Sequence, residues 1–285
     1  MSVFVIIVTY NPEHDLLRRQ YESIRGQVSG IIYVDNHSTS LALPLALPEE
    51  DGIYYILNNR NEGLGYAQNQ GIKKALELGA DFILLLDQDS ELFPSMIQDL
   101  KDTYLFCLSK GEKVGAVAPG IVNAFDESSP VLGILIDGIH IKTLALKDIP
   151  LEVSYCIASG TLIHKSVLED IGLMNEYMFI DFLDLEWCMR ARSKDYKIFL
   201  SPKARLLHRL GNGEMDRITS HSPMREYYIC RNGFLLLKLN YIPLGFKIRR
   251  CVLIPLRVLK SFVTGRKEYF KNGLKGVYDA FLEII

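Results

Sequence analysis

Two carboxylates two residues apart close the most apolar run of the amino-terminal half, FILLLDQDS, as Asp87 and Asp89. A hard divalent cation such as Mn²⁺ or Mg²⁺ takes oxygen ligands and shares them with a diphosphate, so this pair at the mouth of a buried strand suits a cation site. An ordinary acidic turn has the same spelling, and the strand before it is what favours chemistry. A second acidic cluster, FIDFLDLEWCMRARSKDY, reads as a helix from about Ile180 to Ser193. On such a helix Asp181 and Asp184 share a face, and Glu186 pairs with Arg190 one turn on. Asp184 then suits a general base and Asp181 its neighbour, with Glu186 a structural or acceptor contact. Early acids that complement a helix dipole would look the same. His208 ends the apolar run KARLLH before a Gly-rich loop, placed either to complete a metal site or to make a structural hydrogen bond. Arg225, Tyr228 and Arg231 recur at helical spacing, fit for a phosphate or for a solvated face.

These groups must be held by something. Apolar runs alternate with amphipathic stretches: strands at Val3 to Thr9, Ile31 to Asp35, Ile53 to Leu57 and Phe82 to Asp87, and helices from Glu13 and over Leu64 to Leu78. A helix from about Pro94 and the strand VGAVAP continue the alternation, which argues for an α/β fold with a mostly parallel sheet flanked by helices. Short β-like segments fill Gly120 to Pro150, and a second organised unit begins near VSYCIASGTLIH. Open sheets collect ligands at the carboxyl ends of their strands. Thr9-Tyr10-Asn11, Asp35-Asn36, Asn58 to Asn61 and Asp87-Gln88-Asp89 stand at four such ends. NEGLGYAQNQG lacks the G-x-G-x-x-G order, so a nicotinamide fold is not supported, and Asn61 reads as helix cap or ligand.

The composition is that of a folded globular chain: 285 residues, 48% hydrophobic, 23% charged, formal charge −2. Five scattered cysteines never form C-x-x-C, so neither a zinc ribbon nor a disulfide framework is suggested and a reducing cytoplasm fits. No apolar run reaches the roughly 18 residues of a membrane span, and the amino terminus lacks a secretory n-region. Residues 1–200 hold 16 basic and 28 acidic side chains, a balance of −12, and residues 201–285 hold 16 and 6, a balance of +10. In KIRRCVLIPLRVLKSFV a stripe of Ile248, Val252, Leu256, Leu259 and Val263 runs along a helix that Pro255 should kink or divide, with Arg249, Arg250, Arg257 and Lys260 largely off it. Such a helix either packs its stripe on the core or docks its basic face on an anionic membrane.

Taken in order, VIIVTYN, VDNHS, NEGLGYAQNQG, LLLDQDS, ASG, FIDFLDLEWCMRA and the His of LLHRLG resemble the family-2 glycosyltransferases over about the first 235 residues, and DQDS with FIDFLDLEWCMRARSKDYKI looks most like the bacterial dTDP-rhamnosyltransferase branch. The resemblance implies a GT-A-type nucleotide-diphospho-sugar transferase fold over 1–235, with a nucleotide-binding half at about 1–120 and an acceptor-side half at about 121–235. Residues 236–285 would form a basic amphipathic helical segment. It implies a metal-dependent inverting transfer of L-rhamnose from dTDP-rhamnose, or of another UDP- or dTDP-sugar, to a surface polysaccharide whose saccharide acceptor is lipid-linked. By that resemblance Thr9, Tyr10, Asn11, Asp35 and Asn61 frame the nucleotide, with Asp35 accepting a pyrimidine imide N–H. Asp87 and Gln88 meet the donor sugar, and Asp89, Asp87 and His208 hold Mn²⁺ or Mg²⁺. Asp184 is the base, and Asp181 is kept as a second candidate because Leu183-Asp184 stands where many relatives have Glu-Asp. Ser159 and Gly160 shape the donor pocket, and Glu186 and Trp187 lie toward the acceptor. The implied setting is cytoplasmic, with peripheral contact at the inner face of the plasma membrane and no nucleic-acid partner. A haloacid-dehalogenase-type phosphatase using Asp87 as nucleophile is the competing enzyme, and a donor-binding subunit without turnover the competing non-enzyme.

Overall fold

The computed structural model describes residues 1–39, 50–124, 132–209 and 221–284. The first half builds as the alternation predicts. Strands β1 (Val3–Thr9), β2 (Gly30–Asp35), β3 (Ile53–Leu57) and β4 (Phe82–Asp87) pair in parallel in the order β3-β2-β1-β4. The intervening helices are α1 (His14–Ile24), α2 (Leu64–Glu77) and α3 (Met96–Ser109). Successive residues of a strand point to opposite faces, and both faces are buried here. Phe4, Ile6, Ile83 and Leu85 pack with Ala67 and Ile72 of α2 on one side. Val3, Val5, Ile7, Leu84 and Leu86 pack with Leu17 and Tyr21 of α1 and with Met96 and Leu100 of α3 on the other. Each fully buried Ile, Leu or Phe contributes about 1.5–3 kcal/mol. A parallel strand covered on both faces reads as an unbroken apolar run, which is why β1 and β4 were legible.

Beyond β4 the main sheet takes in strands from the second half of the chain. The sheet continues β4-β10-β6-β11-β5, with β5 (Ser90–Leu92), β6 (Val114–Asn123), β10 (Leu162–His164) and β11 (Lys197–His208), while β9 (Leu151–Val153) pairs with β11. β10 is antiparallel to both neighbours and β11 is parallel to β6. A hairpin of β7 (Leu132–Asp137) and β8 (His140–Ala145) stands apart. Between β10 and β11 lie α4 (Lys165–Ile171) and α5 (Leu183–Arg192).

Helix α5 starts later than its sequence suggests. Phe179, Asp181 and Phe182 have φ of 46°, 64° and 66°, so Asp181 lies in a left-handed turn before the helix rather than on one face with Asp184. The turn is held by Asn232 of α6 (Pro223–Leu235), whose fully buried amide donates to the carbonyls of Met178, Ile180 and Asp181 at 2.6, 2.7 and 3.2 Å.

The carboxyl-terminal segment corrects the sequence reading twice. α7 (Leu244–Val263) runs through Pro255 as one helix. Its inner face is made by Phe246, which joins the main core, and by Ile254 and Val258, which with Cys230 and α8 (Lys267–Ile284) close a small one, while the predicted stripe points outward. The arginines turn inward: Arg257 forks onto Glu226 at 2.6 and 2.7 Å, Arg250 lies over the rings of Phe246 and Phe182, and Arg249 bonds the Ile139 carbonyl. Gly276 seats α8 on α6, since a Cβ there would stand 2.3 Å from the Tyr227 carbonyl oxygen. No described helix is long and apolar enough to cross a membrane.

Candidate active site

A cleft of about 910 Å³ opens at the carboxyl ends of the parallel strands. Of the expected residues, Tyr10, Asn11, Asn61, Asp87, Gln88, Asp89, Asp181, Asp184 and His208 line it, and Asn36 and Arg225 join them.

The acidic turn after β4 is built from beneath. Ser159 donates nothing to the cleft: its Oγ accepts the Asp87 N–H at 3.0 Å and contacts Ser90 Oγ at 2.9 Å. The buried amide of Gln20 on α1 donates to the carbonyls of Asp87 and Ser90 at 2.6 and 2.9 Å. Ser90 then meets His208 Nδ1 at 2.7 Å, and the antiparallel pairing of β5 with β11 sets His208 directly opposite Ser90. The outcome is a triangle. His208 Nε2 lies 3.8 Å from Asp87 Oδ2, His208 Nδ1 lies 3.4 Å from Asp89 Oδ1, and one potential ligand atom from each of the three residues falls within 4.8 Å of the others. Burial pushes the Asp87 carboxyl above its usual range, with Asp89 adding to the rise and His208 opposing it. Two carboxylate oxygens and an imidazole nitrogen at this spacing suit Mn²⁺ or Mg²⁺.

On the opposite wall, Asp184 occupies the first turn of α5, where its Oδ1 accepts the Leu185 N–H at 2.8 Å. Burial pushes its carboxyl up to about 6, with the charges of Asp87 and Asp181 acting in the same direction. Asp181 is engaged differently. Arg225 of α6 forks onto it, Nε to Oδ2 at 3.0 Å and Nη2 to Oδ1 at 2.8 Å. Such a bidentate pair occupies the lone pairs a base would use.

The loop before α2 explains the glycines of NEGLGY. Gly63, at φ 90°, is the N-cap, and a Cβ there would come within 2.7–2.9 Å of Phe179. The glycine therefore lets α2 start against the turn that carries Asp181. Asn61 accepts the Gly63 N–H at 3.0 Å and the Asn36 amide at 2.8 Å, so it orders the loop as well as facing the cleft.

The remaining expected residues stand behind the surface. Thr9 is fully buried and donates to Asp35 Oδ1 at 3.0 Å, and Ser38 N–H donates to Asp35 Oδ2 at 2.8 Å. Asp35 is itself buried, with the Ser38 hydroxyl as a third donor, which leaves about one of a carboxylate's four acceptor directions. Gly160 packs under Pro119 and Leu206, and Ile157 and Ala158 line the cleft in place of Ser159 and Gly160. Glu186 and Trp187 do not reach the cleft. Glu186 is buried against Arg190 and Tyr241, and the Trp187 indole donates to the Gly172 carbonyl at 3.0 Å within the core. The Gly-rich loop after His208 falls in residues 210–220, outside the described residues. Gln20, Ser90 and Asn232 had no signal in the sequence beyond their neighbours, because each acts through a partner distant along the chain, whereas Asn36 was legible from its place at a strand end.

Known proteins share both sequence and fold with this one. Residues 4–172 match the family model for glycosyl transferase family 2. A dTDP-rhamnosyl transferase RfbF of Shigella flexneri is 32% identical over 98% of this chain and 95% of its own. The low-salt glycan biosynthesis hexosyltransferase Agl10 of Haloferax volcanii is 29% identical over 81% of this chain and 74% of its own. Among solved structures, S. aureus TarS 1-349 in complex with UDP-GlcNAc superposes with a TM-score of 0.61 at 18% identity, covering 97% of this chain and 82% of that one. GalNAc-T7 with UDP, GalNAc and Mn²⁺ gives 0.61 at 17% identity over 88% of this chain, which spans 54%, about half, of that longer one.

Proposed function

The chain belongs to glycosyltransferase family 2, and we propose that it is a metal-dependent inverting transferase that takes L-rhamnose from dTDP-rhamnose to a saccharide acceptor. It is an enzyme of GT-A fold, which displaces the phosphatase and the turnover-free binder as readings. The observation that carries the proposal is the Asp87–Asp89–His208 triangle facing Asp184 across one cleft. The full-length likeness to the Shigella enzyme supports the donor sugar. The Haloferax hexosyltransferase is the reason to keep another dTDP- or UDP-sugar as the second reading.

Five carboxylates, Glu13, Asp87, Asp89, Asp181 and Asp184, line the cleft, and a diphosphate entering it meets repulsion that Arg225 and Arg209 only partly offset. Asp87, Asp89 and His208 would hold the cation, which when bound offsets charge on the leaving nucleotide diphosphate. Asp184 does the proton work. With its carboxyl near 6 it is ionised at neutral pH, yet it is a stronger base than an exposed aspartate, so it draws the proton from the acceptor hydroxyl as that oxygen attacks the anomeric carbon. Attack from the face opposite the leaving group inverts that carbon. Asp181, committed to Arg225, positions the guanidinium rather than taking a proton. Tyr10, Asn11 and Asn61 border the nucleotide end, with Thr9 and Asp35 bracing that wall from behind through their own hydrogen bonds. A thermal-shift screen of nucleotide sugars with Mn²⁺ tests the reading: dTDP-rhamnose is expected to give the largest shift, and a larger shift with a purine nucleotide sugar would defeat it.

A further inference from the structure

The outer surface of α7 is the largest feature that the cleft chemistry leaves unused. Leu244, Ile248, Val252, Leu256, Leu259 and Val263 follow one another at three- or four-residue steps, and each is between 51% and 75% exposed. Lys260 is the one exposed charged residue on the helix, its other basic residues being half-buried, and α7 contains no acidic residue. Helix α8, joined to α7 by a short turn, adds outward Leu274, Tyr278, Phe281 and Leu282. Its acids are drawn inward, Asp279 to the Tyr227 hydroxyl and Glu283 to Arg231, while Lys267, Lys271 and Lys275 stay exposed with Glu268.

An apolar row some 30 Å long, at 1.5 Å per residue, is far more than the scattered apolar residues of an ordinary surface. We infer that the α7–α8 hairpin docks the protein on an anionic lipid surface, with α7 lying in the bilayer interface and the lysines at headgroup level. Charge decides the occupant. A two-fold contact with a second copy would set the same basic rim against itself, whereas an anionic bilayer complements it and accepts the apolar row. The arginines first suspected of this contact take no part, since they bind the protein's own Glu226, Phe182 and Ile139. Through Arg250 on Phe182, the docked helix backs directly onto the cleft wall that precedes Asp184. This inference rests on the hairpin alone and stands whatever the donor sugar.

Co-sedimentation of the full chain with phosphatidylcholine vesicles and with phosphatidylcholine–phosphatidylglycerol vesicles, at low and high salt, provides the test. The wild type should bind the anionic vesicles and keep part of that binding in high salt, because the apolar contribution is not screened. The variant Ile248→Ser/Val252→Ser/Leu256→Ser/Leu259→Ser should lose binding by about tenfold or more on anionic lipid, with an unchanged melting temperature. Lys260→Gln/Lys267→Gln/Lys271→Gln/Lys275→Gln should retain the residual binding but lose its preference for anionic lipid. Wild type left in the supernatant, or a serine variant that binds undiminished, would overturn the proposal. So would a serine variant that melts early, since the row would then be packing. A wild-type dimer that the serine changes dissolve, without vesicle binding, would assign the face to a second copy.

Discussion

In the proposed reaction Asp184 and Asp89 act by opposite means. Asp184 is useful because the fold makes its charge costly. Its carboxyl is raised from 3.8 to about 6, so its protonated form is favoured by folding and its charged form opposed. That opposition is absent below about pH 4 and complete above about pH 6, worth up to about 3 kcal/mol at neutral pH. Asp184→Asn should therefore be more stable than wild type at pH 8 in denaturant unfolding, with the advantage vanishing at acid pH. The same variant should lose transfer by roughly 10²–10⁴-fold while retaining donor binding. In the wild type, turnover should rise with pH through about 6. Asp181→Asn is expected to be milder, and reversed losses would make Asp181 the base. Asp89 works by being available: its side chain is 34% exposed and its neighbours are His208 and Asp87. Asp89→Ala should leave the melting temperature unchanged and abolish the gain in donor affinity that Mn²⁺ confers, measured by calorimetry.

Elements set these residues in place, and two of them offer direct tests. Gly63→Ala puts a Cβ into Phe179 at a left-handed φ, and should cost about 1–3 kcal/mol and disturb the Asp181 turn, lowering turnover more than donor affinity. Gln20→Ala leaves the carbonyls of Asp87 and Ser90 without their buried donor, a loss of about 1–3 kcal/mol, and should weaken Mn²⁺ binding although Gln20 touches no ligand. The four parallel strands were legible because each is a short apolar run ended by polar residues at a turn. The start of α5 was not, because its left-handed residues depend on Asn232, some fifty positions away. Nor was the orientation of α7. Periodicity separates an apolar from a basic face but does not say which one meets the protein, and the partners that decide it, Glu226 and Phe182, lie on other elements.

At the scale of the molecule, one sheet carries both walls of the cleft. β4 brings Asp87 and Asp89, β11 brings His208, and the segment between β10 and β11 brings Asp181 and Asp184. The D-x-D, the second acidic cluster and the histidine were each legible as types and spacings. Their convergence was not, since it depends on β5 and β10 entering the sheet antiparallel at positions no local pattern announces. The excess of acids in residues 1–200 collects partly in this cleft, so a diphosphate is expected to settle there only with a cation. The rate of dTDP release from dTDP-rhamnose, followed in Mn²⁺ and again after EDTA, tests that claim most directly. Release in Mn²⁺ should be abolished by EDTA and should exceed release of UDP from UDP-GlcNAc; release undiminished by EDTA would contradict a required cation, and faster release from the UDP-sugar would contradict a rhamnose donor.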